Sequence, residues 1–344
     1  MGVSSALGSS ALLPAGLGFR NKIINGDFNI NQRGVTTTTS GGTFVFDRWM
    51  QWAADGTSTF SSQSFTAGNA ISGQEPIKYA QIITSGQTAV GAQSNIQQRV
   101  EDVRTCAGQQ VVVSFWAKAG SGTPKIAVEI EQNFGSGGSA VVNYYGGFAT
   151  ISTTWARYSV ALTVPSVAGK TIGTSSFMAL NLWVSSGSTN GFRNGSMGIQ
   201  NNTFQFWGVQ LEQNLQPTPF EQRPYGTELA LCQRYFWRSQ PAGIYTSHGV
   251  GFAQGTGVSF VFINLPVPLR ASPVGNVSFA NLRVTDATSG GIAVNSISVE
   301  ATPTTNVTHV MLNCGHGTFG ATFQPRVLAN DNNANGFISL SAEL

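Results

Sequence analysis

The feature that most constrains this chain is an alternation of apolar and polar residues with period two, clearest in VVVSFWAKA at 111–119. On an extended strand Val111, Val113, Phe115 and Ala117 share one face, while Val112, Ser114, Trp116 and Lys118 share the other. The first set reads as a core face. KIAVEIEQNF repeats the pattern, with Ile126, Val128 and Ile130 opposed to Glu129 and Glu131. Tyr158, Val160, Leu162 and Val164 oppose Arg157, Ser159 and Thr163. Met178, Leu180, Leu182 and Val184 point one way, and Phe177, Asn181 and Trp183 the other. Half-buried strands joined by Gly/Ser loops describe a β-sandwich or jelly roll.

Composition narrows this further. Of 344 residues 41 are Gly and 13 Pro, and only 10% are charged, against roughly 25% in an average soluble domain. Few exposed helix formers remain, so the class is all-β. The 18 basic and 15 acidic residues are scattered without a block of like charge, which excludes a phosphate-tracking surface and hence a nucleic-acid partner. No apolar run reaches the ~18 residues of a membrane span, and MGVSSALGSSALLPAGLGFR lacks a basic leader region. A soluble, unexported chain made in a bacterial-type or viral cytoplasm, without membrane insertion, is expected. Cys106, Cys232 and Cys314 lie far apart without Cys-x-x-Cys spacing, so buried free thiols are expected.

Residues 1–20 read as a tether or docking segment, and 21–212 as a jelly-roll domain. The run EQNLQPTPFEQRPYG, with Pro217, Pro219 and Pro224, cannot join a central ladder and marks a domain boundary. Residues 213–240 are thus a Pro-rich linker plus one short helix. Leu229, Cys232 and Phe236 fall at i, i+3 and i+7, which predicts a helix from Glu228 to Trp237 with Thr227 as its N-cap. That stripe is also a candidate subunit or domain interface. Strand texture returns over 241–344, predicting a second, smaller β-sandwich hinged on the linker. No fixed-period repeat is present, which argues against a parallel β-helix.

Saccharide binding needs apolar rings to cover sugar faces and amides or carboxylates to bond hydroxyls. Trp183 with Asn181 is the first candidate pair, followed by Trp116, then Tyr144 and Tyr145 in VVNYYGGF. Catalysis would need a paired acid and base. Glu129 and Glu131 share a strand face and fit equally a solvated sheet, while Glu101 and Asp102 sit beside Arg99 and Arg104 as a surface charge cluster; no catalytic residue is assigned. In HVMLNCGH the alternation turns His309 away from Cys314 and His316, so no metal site is expected.

RNKIINGDFNINQRG at 20–34, FDRWM at 46–50, VSFWAKA at 113–119, FWGVQLE at 206–212, TPFEQRPYGTELALCQRYFW at 218–237, PVPLRASP at 266–273 and the terminal FISLSAEL resemble bacteriophage tail-fibre-like structural proteins. The first domain also resembles jelly-roll carbohydrate-binding modules, which share an opening Asn-Gly-Asp/Gly-Phe, a Ser-Phe-Trp-Ala-Lys strand and a closing strand ending in Leu-Glu. The resemblance implies a homotrimeric virion component at the particle surface whose partners are other virion proteins and a host cell-surface glycan. A head-decorating fibre or tail connector touching only protein is the alternative. Such modules often hold a structural calcium. Here Asp27 is available, but Trp207 and Gly208 stand where ligands would be expected, and no cofactor is assigned.

Overall fold

The computed structural model describes residues 19–68, 70–71, 73–273, 275–286, 290–300 and 308–344. Apart from its last two residues, the expected tether lies outside the described residues. The first domain runs through β1 (Thr37–Thr38), β2 (Thr43–Phe46), β3 (Trp49–Ala54), β4 (Thr57–Ser64), β5 (Lys78–Ser85) and β6 (Gln93–Val100). It continues with β7 (Gln110–Ala119), β8 (Lys125–Asn133), β9 (Val142–Thr150), β10 (Ala156–Thr163) and β11 (Phe177–Ser186). A one-turn helix α1 (Gly191–Asn194) precedes the closing strand β12 (Thr203–Glu212).

Two six-stranded sheets result, ordered β1-β4-β5-β12-β7-β10 and β2-β3-β6-β11-β8-β9. The alternating apolar sets meet between them. Val111, Val113, Phe115 and Ala117 of β7 and Met178, Leu180, Leu182 and Val184 of β11 join one core with Ile126, Val128 and Ile130 of β8. Phe28, Phe46, Trp49 and Phe60 fill its centre, with ring centroids 5.1 to 5.9 Å apart. Gly26 is needed where the opening loop passes under β12, since a Cβ there would lie 2.2 Å from the Val209 carbonyl oxygen.

The proline-rich segment is strapped to this domain rather than spanning freely. Phe220 packs on Trp207 at 5.2 Å, and the Asn21 N–H donates to Glu221 at 2.7 Å. Gly208, at φ +63 in the bulge of β12, leaves room beneath Phe220 for Trp116. Helix α2 spans Tyr225–Gln233, starting earlier and ending sooner than the apolar spacing predicts, with Pro224 at its N-cap and Thr227 inside its first turn. Phe236 and Trp237 leave the helix because they pair with the last strand. Cross-strand pairing outweighs the helical period there.

The second unit contains β13 (Phe236–Ser239), β14 (Ser247–Ala253), β15 (Val258–Asn264), β16 (Val277–Ala280) and β17 (Leu282–Thr285). It ends with β18 (Gly291–Val299), β19 (His309–His316), β20 (Pro325–Asn330) and β21 (Phe337–Ser341). The expected second sandwich is closed into a six-stranded barrel, β14-β15-β19-β18-β17-β20, with a three-stranded sheet β13-β21-β16 beside it. Closure leaves no ladder edge on those six strands. Ile338 and Leu340 of β21 share one core with Leu312, Cys314 and Leu328 of the barrel.

The domains meet through buried charge. Glu343 is salt-bridged to Arg33 at 3.0 Å and to Arg48, and Arg33 also reaches Asp47 at 3.3 Å. The Arg48 guanidinium lies 3.5 Å over the Tyr235 ring, and that of Arg33 3.7 Å over Phe236. Glu228 accepts from the Asn25 N–H and from Arg223, while Glu101 reaches Arg234 at 3.0 Å and Arg270 at 3.7 Å. Glu101 is therefore a domain contact and not part of a free surface cluster. Cys232 and Phe236 are buried at this junction inside one chain, and Leu229 is half-buried, so the predicted stripe faces the junction.

Candidate functional site

The outer face of the sheet β2-β3-β6-β11-β8-β9 carries a groove of about 260 Å³. Gln93, Asn95, Gln97 and Arg99 are alternate residues of β6 and therefore share that face. Asn181 pairs directly with Gln97 on one side and Glu129 on the other, which brings both neighbours to the same surface. Trp52 of β3, 36% exposed, forms one wall, and Arg193 with Glu131 forms the other.

A hydrogen-bonded row orders the floor. The Gln97 amide oxygen accepts from Trp52 Nε1 at 3.2 Å and from Arg99 Nε at 3.0 Å, and its nitrogen donates to Asn181 Oδ1 at 2.8 Å. Asn181 Nδ2 and Asn95 Oδ1 are left without a partner among the described residues, in side chains 1% and 3% exposed. A buried amide atom in that state carries the desolvation cost of an unmade bond and marks a place for an incoming donor or acceptor.

Helix α1 lays Arg193 over the sheet. Its guanidinium donates to Glu129 at 2.7 Å and to Glu131 at 2.9 Å, and lies 5.2 Å over the Trp183 ring. Trp183 Nε1 donates to Glu129 at 2.7 Å. Burial pushes the Glu129 carboxyl above its ordinary value, opposed by its bonds to Arg193 and Trp183. The two glutamates thus share one guanidinium.

Of the sugar-binding candidates, Asn181 lines the groove and Trp183 does not. The Trp183 indole is fully buried, sealed beneath Arg193 and spent on the Glu129 carboxylate, so it cannot stack on a ligand. Trp116 lies on the other sheet, opposite Trp207 and Arg157 and beneath the strap. Tyr145 shares the groove's face but is packed against Gly195, where burial raises its hydroxyl pKa. Tyr144 is exposed on the edge strand opposite Ile130, a core residue, and therefore turns away from the groove. The sequence reading missed Trp52, Gln93, Asn95, Gln97, Arg99 and Arg193. Four of them lie in QSNIQQRV, which is polar on both faces and carries no apolar alternation to signal them.

In the barrel Cys314 and His316 face inward and His309 faces outward, as alternation requires. His316 is bonded to Ser259 Oγ at 2.9 Å, and burial pushes the Cys314 thiol up to about 12. Near Asp27 the Arg223 guanidinium gathers the carbonyls of Asn21 and Ile23 together with Glu228. An arginine thereby neutralises the oxygen cluster at the opening loop.

Residues 21–178 match the sequence family described as a carbohydrate binding domain. Among solved structures, one titled "CBM4 structure and function" is 17% identical, covering 55% of this chain and 98% of its own, with a TM-score of 0.31. The enzymatically active domain of tailspike protein 4 of bacteriophage CBA120 is 16% identical, over 57% of this chain and 22% of that one, with a TM-score of 0.31. A family 11 carbohydrate-binding module of Clostridium thermocellum, in complex with a β-1,3-1,4-mixed-linked tetrasaccharide, is 10% identical over 53% and 97%, with a TM-score of 0.32. No curated protein matches this sequence. The similarity to that family thus extends over most of the first β-domain.

Proposed function

We propose that this protein binds a glycan chain in the groove over β6, as a tail-fibre component of a phage particle that meets polysaccharide at the host surface. The observation that carries the binding is the pair of buried, unpartnered amide atoms of Asn95 and Asn181 beside the half-exposed Trp52 indole. Sugar hydroxyls supply both donors and acceptors, and the indole supplies a flat apolar face. The family match over residues 21–178 supports the same ligand class. The virion role is supported by the motif resemblance at 20–34, 46–50 and 218–237. Binding without catalysis is proposed because Glu129 and Glu131 are both engaged by Arg193.

A glycan array followed by titration calorimetry tests the binding. Trp52→Ala should weaken it roughly tenfold, the scale of a lost apolar contact of ~1 to 3 kcal/mol, with the fold intact. Trp116→Ala, on the far sheet, should leave affinity unchanged. An array that returns no glycan, or a bound glycan indifferent to Trp52→Ala and Asn181→Ala, overturns the reading. Cryo-microscopy of the intact particle distinguishes a tail fibre from a head-decorating or connector module. The same proposal takes the protein as a homotrimer. Val250 and Phe262, paired and exposed on the barrel's outer wall, are the apolar surface that three copies would cover. A monomeric mass by light scattering at micromolar concentration refutes the trimer.

A further inference from the structure

The groove and the second domain are joined at one residue. Arg99 ends the row Gln93, Asn95, Gln97, Arg99 in the groove, yet its guanidinium also donates to the carbonyl of Leu344. Its main-chain carbonyl accepts from Arg48, and Arg48 is itself salt-bridged to Glu343. The tail after β21 is in turn fixed to the second unit. The Ala342 N–H donates to the Tyr235 carbonyl at 2.7 Å, and Arg270 donates to the carbonyls of Ala342 at 2.9 Å and Glu343 at 3.2 Å.

From Arg99 the row continues inward. Its Nε and the Trp52 indole N–H both donate to the Gln97 amide oxygen. Two donors on one oxygen fix which way that amide points, because the reversed amide would set its own NH₂ against both. The Gln97 nitrogen must then donate to Asn181 Oδ1, and this turns the Asn181 nitrogen into the free donor of the groove. The orientation of the unpartnered atom is thus set by a chain of contacts that begins in the second domain.

We propose that the tail Ala342–Leu344 positions the groove: by holding Arg99 it fixes the Gln97 and Asn181 amides and the Trp52 indole, so docking of the second domain regulates how strongly the groove binds. The proposal rests on the glycan reading for its ligand but not for its geometry. Glu343 and Leu344 act here as positioning residues.

The test uses the full chain and two readouts. In ¹H–¹⁵N spectra the Trp52 indole signal, assigned through Trp52→Phe, and the side-chain amide signals of Gln97 and Asn181 report the row without any ligand. Shortening the chain after Ala342 should move all three. It should also weaken binding of an array-identified glycan about fivefold, the scale on which residues remote from a ligand modulate its affinity. Arg99→Lys, which keeps the charge but has no Nε to give Gln97, should move the same signals. Arg104→Ala, at an exposed ion pair of the same domain, should move none of them. If the shortened chain fails to fold, Glu343→Gln and Arg99→Lys carry the test. Folded variants whose Trp52, Gln97 and Asn181 signals stay in place overturn the inference. Signals that move in a protein that binds no glycan leave the positioning standing and remove the glycan reading instead.

Discussion

Burial is the first cause holding the carboxyls of Asp27, Asp47 and Glu129 above their ordinary values, and beside Asp27 the neighbouring Glu228 adds to it. A carboxyl raised in the folded state binds its proton more readily there than in the unfolded chain. Its contribution is therefore fully present below the unfolded value, 3.8 for Asp27, and is lost as pH rises through the folded value. Asp27→Asn keeps an acceptor for the Asn29 N–H and removes the charge. It should melt higher than the parent at neutral pH, and the gap should close as pH falls toward 3.8, as a series of melting curves would show. A gap that widens on acidification contradicts the sign. Trp183 makes a different point at the same scale. As a buried indole bonded to a buried carboxylate it should cost ~3 to 5 kcal/mol when cut to Ala, measured by denaturant unfolding, whereas half-exposed Trp52 should cost far less.

Among the elements, the strap and α2 are held less by their own hydrophobicity than by Arg223, whose side chain is 4% exposed and bonded to Glu228 and to the opening loop. Arg223→Ala would leave the Glu228 carboxylate and two carbonyls without that donor. Breaking a buried pair on one side is typically worth ~3 to 5 kcal/mol, so a matching fall in unfolding free energy is expected, against little change for Arg104→Ala at an exposed pair. The elements also show what could be read from sequence. β7, β8 and the inner face of β11 were legible because apolar and polar residues alternate in them, and their inward sets are the core. β6 was not. Its inward positions Ser94, Ile96 and Gln98 are mostly polar and yet buried, because Ser94 bonds to Ser58 Oγ and Gln98 to the Ile24 backbone. No hydrophobic contrast then marks the strand that floors the groove. Trp183 was misplaced for the converse reason: alternation gives the face, but only the loop bearing Arg193 decides whether that face is open. The helix end was misread because pairing of Phe236 with Ser341 is a contact across more than a hundred residues.

For the whole molecule, the motifs that looked unconnected along the sequence meet at one place. Asn25, Arg33, Asp47, Arg48, Glu228, Tyr235, Arg270 and Glu343 come from the stretches at 20–34, 46–50, 218–237, 266–273 and 337–344, and together they form the junction between sandwich and barrel. A flexible linker would let the two domains melt separately, since interfaces within a chain are by default small and polar. Here Arg48 is 2% exposed and Glu343 10%, and a charge buried at such a contact loses its partner as soon as either domain opens. Opening one domain therefore destabilises the other, and the protein should unfold in a single calorimetric transition whose van't Hoff and calorimetric enthalpies agree. Arg48→Ala removes the link to Glu343 and to the Arg99 carbonyl while leaving both hydrophobic cores untouched. It should split the transition in two. Two independent transitions in the unaltered protein, or a single one that survives Arg48→Ala unchanged, would show that the junction aligns the domains without coupling their stability.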